Sequence, residues 1–127
     1  MRYMMIIKAT PDYEAGRPPN PTLIAAMGAL TEEMMRAGVV EASGGLLPSA
    51  MGTRVAYGNG RRSVVDGPFT ETKELIGGFA IVNADSREHA VALADRVLDA
   101  HVAAGIADFE MEIRPMFDAA NSPCSRN

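Results

Sequence analysis

The sequence predicts an α+β domain: one mixed sheet, two helices on one of its faces, and a β-hairpin inserted between the two halves. Three observations lead there. Short apolar alternating segments and helix-period segments follow one another in the order β-α-β, hairpin, β-α-β. An Asn59-Gly60 step joins two short strand-like runs, the strongest local hairpin signal. And 127 residues, 47% of them hydrophobic, suffice for one domain with its own core.

The elements follow in order. Met1 to Ala9 reads as a strand with apolar residues on both faces, the pattern of a central or doubly covered strand. Residues 10–21 hold Pro11, Gly16, Pro18, Pro19 and Pro21 and read as a loop. Helix one begins at about Pro21 or Thr22 under an Asn20 cap and runs to Ala37. Its apolar face is Leu23, Met27, Leu30, Met34 and Met35, and Gly38 ends it. Val39 to Leu46 is a second strand, interrupted by Gly44-Gly45, where a bulge, a bend or a close backbone approach is expected. Thr53 to Tyr57 and Arg61 to Val65 form the hairpin. Asp66-Gly67-Pro68 turns, and Phe69 to Leu75 is irregular or one short helical turn. Ile76 to Val82 is a strand, Asp85 or Ser86 caps helix two to about Ala100, and Phe109 to Arg114 is the last strand. The domain spans residues 1–118, with a Ser/Pro/Asn tail over 119–127.

Composition excludes several classes. A net charge of -4 and the lack of a basic cluster argue against direct nucleic-acid binding. No apolar run approaches membrane length, and a cytoplasmic protein is expected. The lone Cys124 allows no intrachain disulfide, and two distant histidines make no metal set. No cofactor motif is present: the Gly58-Asn59-Gly60 turn joins two strands and is no nucleotide loop. The sheet face away from the helices remains apolar, so a partner is expected to cover it, and a homodimer is the simplest solution.

The run from Val65 through Asp66-Gly67-Pro68-Phe69-Thr70-Glu71-Thr72-Lys73-Glu74-Leu75-Ile76 to Gly77-Gly78-Phe79 closely resembles the signature of the YCII-related proteins, specifically their DGPF branch. The opening Met1-Arg2-Tyr3-Met4-Met5-Ile6-Ile7-Lys8, the stretch from Gly38 to Pro48, and Glu112-Ile113-Arg114-Pro115 are similar as well. The resemblance implies a ferredoxin-like fold assembled as a dimer in the manner of dimeric α+β barrels, in a bacterial cytosolic protein. It implies a site in the inter-subunit cleft that binds or transforms a small cyclic or phenolic metabolite. One characterised relative removes chloride from a chlorinated hydroxyquinone, and some members are thought to pair a histidine with an aspartate. Other members lie beside sigma-factor-like proteins, which implies the alternative of a non-catalytic regulatory or protein-interaction module. This chain departs from the branch at Ala80, where many relatives carry a large aromatic, and around His101, where Val102-Ala103-Ala104 replaces glycines.

Candidate site residues come from the central run and the histidines. Asp66 is either a turn residue accepting local N–H bonds or the polar centre of a site, able to orient a histidine or act as a base. His101 sits at the end of helix two, where it either caps the helix or assists Asp66. His89 reads as a surface residue. Glu71 and Glu74 either face solvent or flank a ligand; Lys73 either pairs with an acid or holds an anion. Phe69 is a plug on the sheet or a ligand-stacking ring. Gly77 and Gly78 admit either backbone or a ligand at the sheet surface.

Overall fold

A computed structural model describes residues 1–70 and 74–117. Glu71 and Lys73 lie outside the described residues, as does the tail with Cys124. The order is β1 (Arg2–Lys8), α1 (Pro11–Glu14), α2 (Pro21–Arg36), β2 (Val40–Gly45), a single 3-10 turn (Ser49–Met51), β3 (Thr53–Gly58), β4 (Arg61–Asp66), β5 (Ile76–Asn83), α3 (Arg87–Ala103) and β6 (Met111–Pro115).

Four strands form the main sheet in the order β2-β5-β1-β6, while β3 and β4 form a separate two-stranded sheet. This is an α+β architecture compatible with the ferredoxin-like arrangement. The expected mixed sheet is instead antiparallel at every pairing. The reason is topological: each β-α-β unit skips one strand position, so the parallel strands it links are never neighbours. Both crossovers use the helices α2 and α3, which lie on the same face.

Strand alternation sorts the sheet into two faces. Tyr3 and Met5 of β1 pair with Val82 and Ala80 of β5, and Met5 also faces Ile113 of β6. These residues meet Met34 of α2 and Ala90, Leu93 and Ala94 of α3 in one core. The opposite face carries Met4, Ile6, Phe79 and Ile81, all half-buried. The Phe79 ring lies across Gly44, where a Cβ would come within 3.1 Å of it; the glycine interruption of β2 thus admits an aromatic ring. A bulge at Glu41 shifts the β2 register between Val40 and Ala42.

The helix ends follow their local sequence. Asn20 caps α2 by accepting a bond from the Leu23 N–H at 2.6 Å. Gly38, at φ 73°, closes it with the paired bonds Val39 N–H to Met34 O and Gly38 N–H to Met35 O. Ser86, not Asp85, caps α3 through the His89 N–H. Three expectations change. Met35 is 51% exposed and leaves the α2 core face to Met34 and its neighbours. The segment 10–21 holds one helical turn, because Thr10 caps it and Pro11 occupies its first position. α3 continues one turn beyond Ala100 to Ala103. The Asn59-Gly60 hairpin forms as expected, with both residues at positive φ, the geometry of a type I′ turn. Among the described residues no helix is long and apolar enough to cross a membrane.

The two β1 faces differ in their stake in the core. Met5 is 1% exposed, and Met5→Ala should lower unfolding free energy by about 3 kcal/mol. Met4→Ala, half-buried on the other face, should cost the undimerised chain less than about 1 kcal/mol. Urea denaturation of the two variants tests the assignment.

Candidate functional site

His101 continues the buried stripe of α3, four residues after Val97, and is 8% exposed. Its ring stacks on Phe109, with centroids 3.7 Å apart and an interplanar angle of 15°. Nδ1 lies 2.8 Å from the Val97 carbonyl oxygen. A carbonyl only accepts, so Nδ1 carries the proton and in the neutral ring Nε2 offers its lone pair. Nε2 has no hydrogen-bond partner among the described residues and is not a buried orphan, so it reaches open space.

His101 is one of the residues lining a cavity of about 600 Å³ at one end of the sheet, between the start of α2 and the end of α3. Ile7, Leu23, Ile106 and Phe109 give it apolar walls, and Asp12 and Arg17 stand among its polar residues. The chain ends of both helices build it. Gly105, at φ 85°, terminates α3 with Ile106 N–H bonding the His101 carbonyl and Gly105 N–H bonding that of Val102. This turn puts Ile106 beside His101. Asn20 then ties the two helix ends together, its Nδ2 donating to the Ala104 carbonyl at 2.9 Å. Arg17 pairs with Asp12 at 2.7 Å, but both side chains are over 70% exposed, so the pair adds little stability.

Asp66 is placed elsewhere. It ends β4, exposed, and accepts a bond from the Thr53 hydroxyl at 3.1 Å across the hairpin base. It lines neither this cavity nor the one beside it. The rest of its motif forms a clasp. The Gly67–Pro68 peptide is cis, and Gly67 N–H bonds the Gly52 carbonyl at 2.9 Å. A Cβ on Gly67 would fall 1.8 Å from the Ser49 carbonyl oxygen, so only glycine fits. Phe69 N–H donates to Ser49 Oγ at 3.0 Å, and Ser49 in turn donates its N–H and Oγ–H to the Glu14 carboxylate, at 2.8 and 2.5 Å. The Phe69 ring lies under the Arg54 guanidinium, 3.9 Å from ring centroid to Cζ. The Phe69 ring thus packs at the hairpin base, near Gly52 as well as Arg54.

Of the remaining candidates, Glu74 is exposed. Gly77 lines the His101 cavity, and both Gly77 and Gly78 line its neighbour. A Cβ on Gly78 would meet the Gly44 carbonyl at 3.0 Å, so backbone approach explains that glycine. His89 bonds locally at the α3 start, its Nδ1 accepting from the Asp85 N–H at 3.0 Å. Among the described residues no three His, Cys, Asp or Glu side chains group to hold a metal. Sequence reasoning did not single out Phe109, Arg17, Asn20 or Gly105 for the site. The signal for His101 and Gly105 was present: position 101 continues the 90-93-94-97 stripe, and a glycine four residues later marks a helix stop.

The chain matches the YCII-related domain over residues 1–116. It belongs to that family. It is also 28% identical, over 90 residues covering 71% of this chain and 69% of the relative, to the uncharacterized protein R00369 of Rhizobium meliloti strain 1021.

The clasp makes two outcomes separable. Gly67→Ala should destabilise the fold by about 2 kcal/mol through overpacking against Ser49, read by thermal or urea unfolding. Asp66→Asn, which keeps an acceptor for Thr53, should change stability by less than about 0.5 kcal/mol.

Proposed function

We propose that this protein binds a small cyclic or phenolic metabolite in the cavity below α3, with His101 as its polar anchor. The observation that carries this reading is that His101, whose Nε2 has no hydrogen-bond partner among the described residues, lines a cavity that also has apolar walls. A ring hydroxyl donates to such an acceptor, and Ile7, Leu23, Ile106 and Phe109 supply the apolar contact a ring needs. Proton transfer from the bound hydroxyl to Nε2 would make the same histidine a general base. In this reading His101, rather than Asp66, is the centre of the site, because His101 lines the cavity and Asp66 of the same chain does not.

A second copy of the chain is the proposed cover for the open sheet face. Met4, Ile6, Phe79 and Ile81 form an apolar centre there, rimmed by the ion pairs Arg2–Glu41 and Lys8–Glu112, each at 3.5 Å. An apolar centre with a charged rim is the anatomy of a protein interface. Val55, Tyr57 and Val64 of the hairpin are 68–76% exposed and add to the surface available to a partner.

His101→Gln should weaken binding of 4-ethylphenol at least tenfold in calorimetric titration while leaving the unfolding midpoint within a few degrees; unchanged affinity would refute the anchor. Light scattering should give twice the 13.5 kDa chain mass, and Ile81→Lys should return it to one chain's mass.

A further inference from the structure

Beside the His101 cavity lies a second one of about 280 Å³, between α2, α3 and the same face of the sheet. Its walls are apolar and rich in methionine: Met5, Met27, Leu30, Met34, Val97 and Met111. The two cavities are successive steps along the same elements. On α2, Leu23 lines the first and Met27 the second; on α3, His101 lines the first and Val97 the second. Each pair is one helical turn apart, ~5.4 Å. Phe109, just before β6, lines the first and Met111, the first residue of β6, the second, while Ile7 of β1 and Gly77 of β5 line both.

Side-chain size on the sheet creates the inner space. At one end of the helix-facing surface, Tyr3, Val40 and Val82 are buried and fill the gap to the helices. At the other, β2 and β5 present Gly45, Gly78 and Ala80. A Cβ on Gly45 would meet nothing within 4 Å. Methionine side chains, unbranched and polarizable, adapt their shape to an apolar guest.

We infer that the two cavities form one amphipathic site, in which a ring hydroxyl meets His101 and an alkyl substituent of the ring extends past Ile7 into the methionine-lined chamber. The head position rests on the function proposed above; the tail site rests on the chamber alone. A cavity of ~150 Å³ accommodates benzene, so this chamber takes a chain of roughly six carbons. The ligand class is an alkyl-substituted phenol or a ring hydroxyl compound of the same shape.

Calorimetric titration with 4-alkylphenols from ethyl to decyl tests this. Affinity should rise about fourfold per methylene and then level off near six carbons. Ala80→Leu, filling the chamber, should abolish the dependence on chain length while retaining 4-ethylphenol binding. Met27→Ala, enlarging it, should move the plateau to longer chains, and keeps the test alive should Ala80→Leu fail to fold. A slope that persists without a plateau, or one that neither variant alters, overturns the tail site, as does failure of every member of the series to bind. His101→Gln separates the two readings. A uniform loss across the series supports both. A chain-length dependence that survives with unchanged affinities removes the His101 anchor and leaves the tail site standing.

Discussion

The structure depends on β1 lying between β5 and β6 with one face sealed. It is paired on both edges, so its backbone groups are satisfied inside the sheet. Further bonds fasten its start: Ala84 N–H to the Met1 carbonyl at 3.0 Å, and Met116 N–H to that of Arg2 at 2.9 Å. Tyr3 and Met5 then set the plane onto which both helices pack. Because α3 must present Ala90, Leu93, Ala94 and Val97 to that plane, its next inward position is His101. The candidate site is thus an extension of the core, at the point where the core runs out of large side chains.

That transition is graded along the sheet. Large residues close one end, and glycine and alanine leave the other open, where Asn20 at the start of α2 ties itself to the Ala104 carbonyl at the end of α3. An imidazole in such a place is stabilised on one ring nitrogen by its own helix and on one face by Phe109. Its remaining nitrogen has no hydrogen-bond partner among the described residues. Two Schellman turns, at Gly38 and Gly105, define the helix stops that make this geometry reproducible.

The most distinctive stretch of the chain forms a clasp within the single chain. Asp66 through Phe69 clasps the hairpin base to the turn at Ser49–Met51, and through Ser49 to Glu14 of α1. The hairpin itself forms no part of the main sheet, and both its strands are exposed along their whole length. Two strands alone are marginal in water, so the clasp supplies anchoring that the hairpin's own packing does not.

Much of the fold was legible in the residues. Period and caps located α2 and α3, Asn59-Gly60 located the hairpin, and Gly38 located a helix stop, because each of these is decided within a few residues of backbone. Local chemistry also marked His101 as a candidate. What it could not give was spatial assembly. Asp66 and His101 read as partners because both are polar groups in informative places, yet the hairpin carries one to the exposed base of β3 and β4 while α3 buries the other. The antiparallel order of the sheet, the gap above Gly45 and Ala80, and the meeting of His101 with Phe109 all depend on which strands become neighbours. That choice is made by long-range packing, in which residues far apart in the chain compete for the same buried face, and only the tertiary structure decided it.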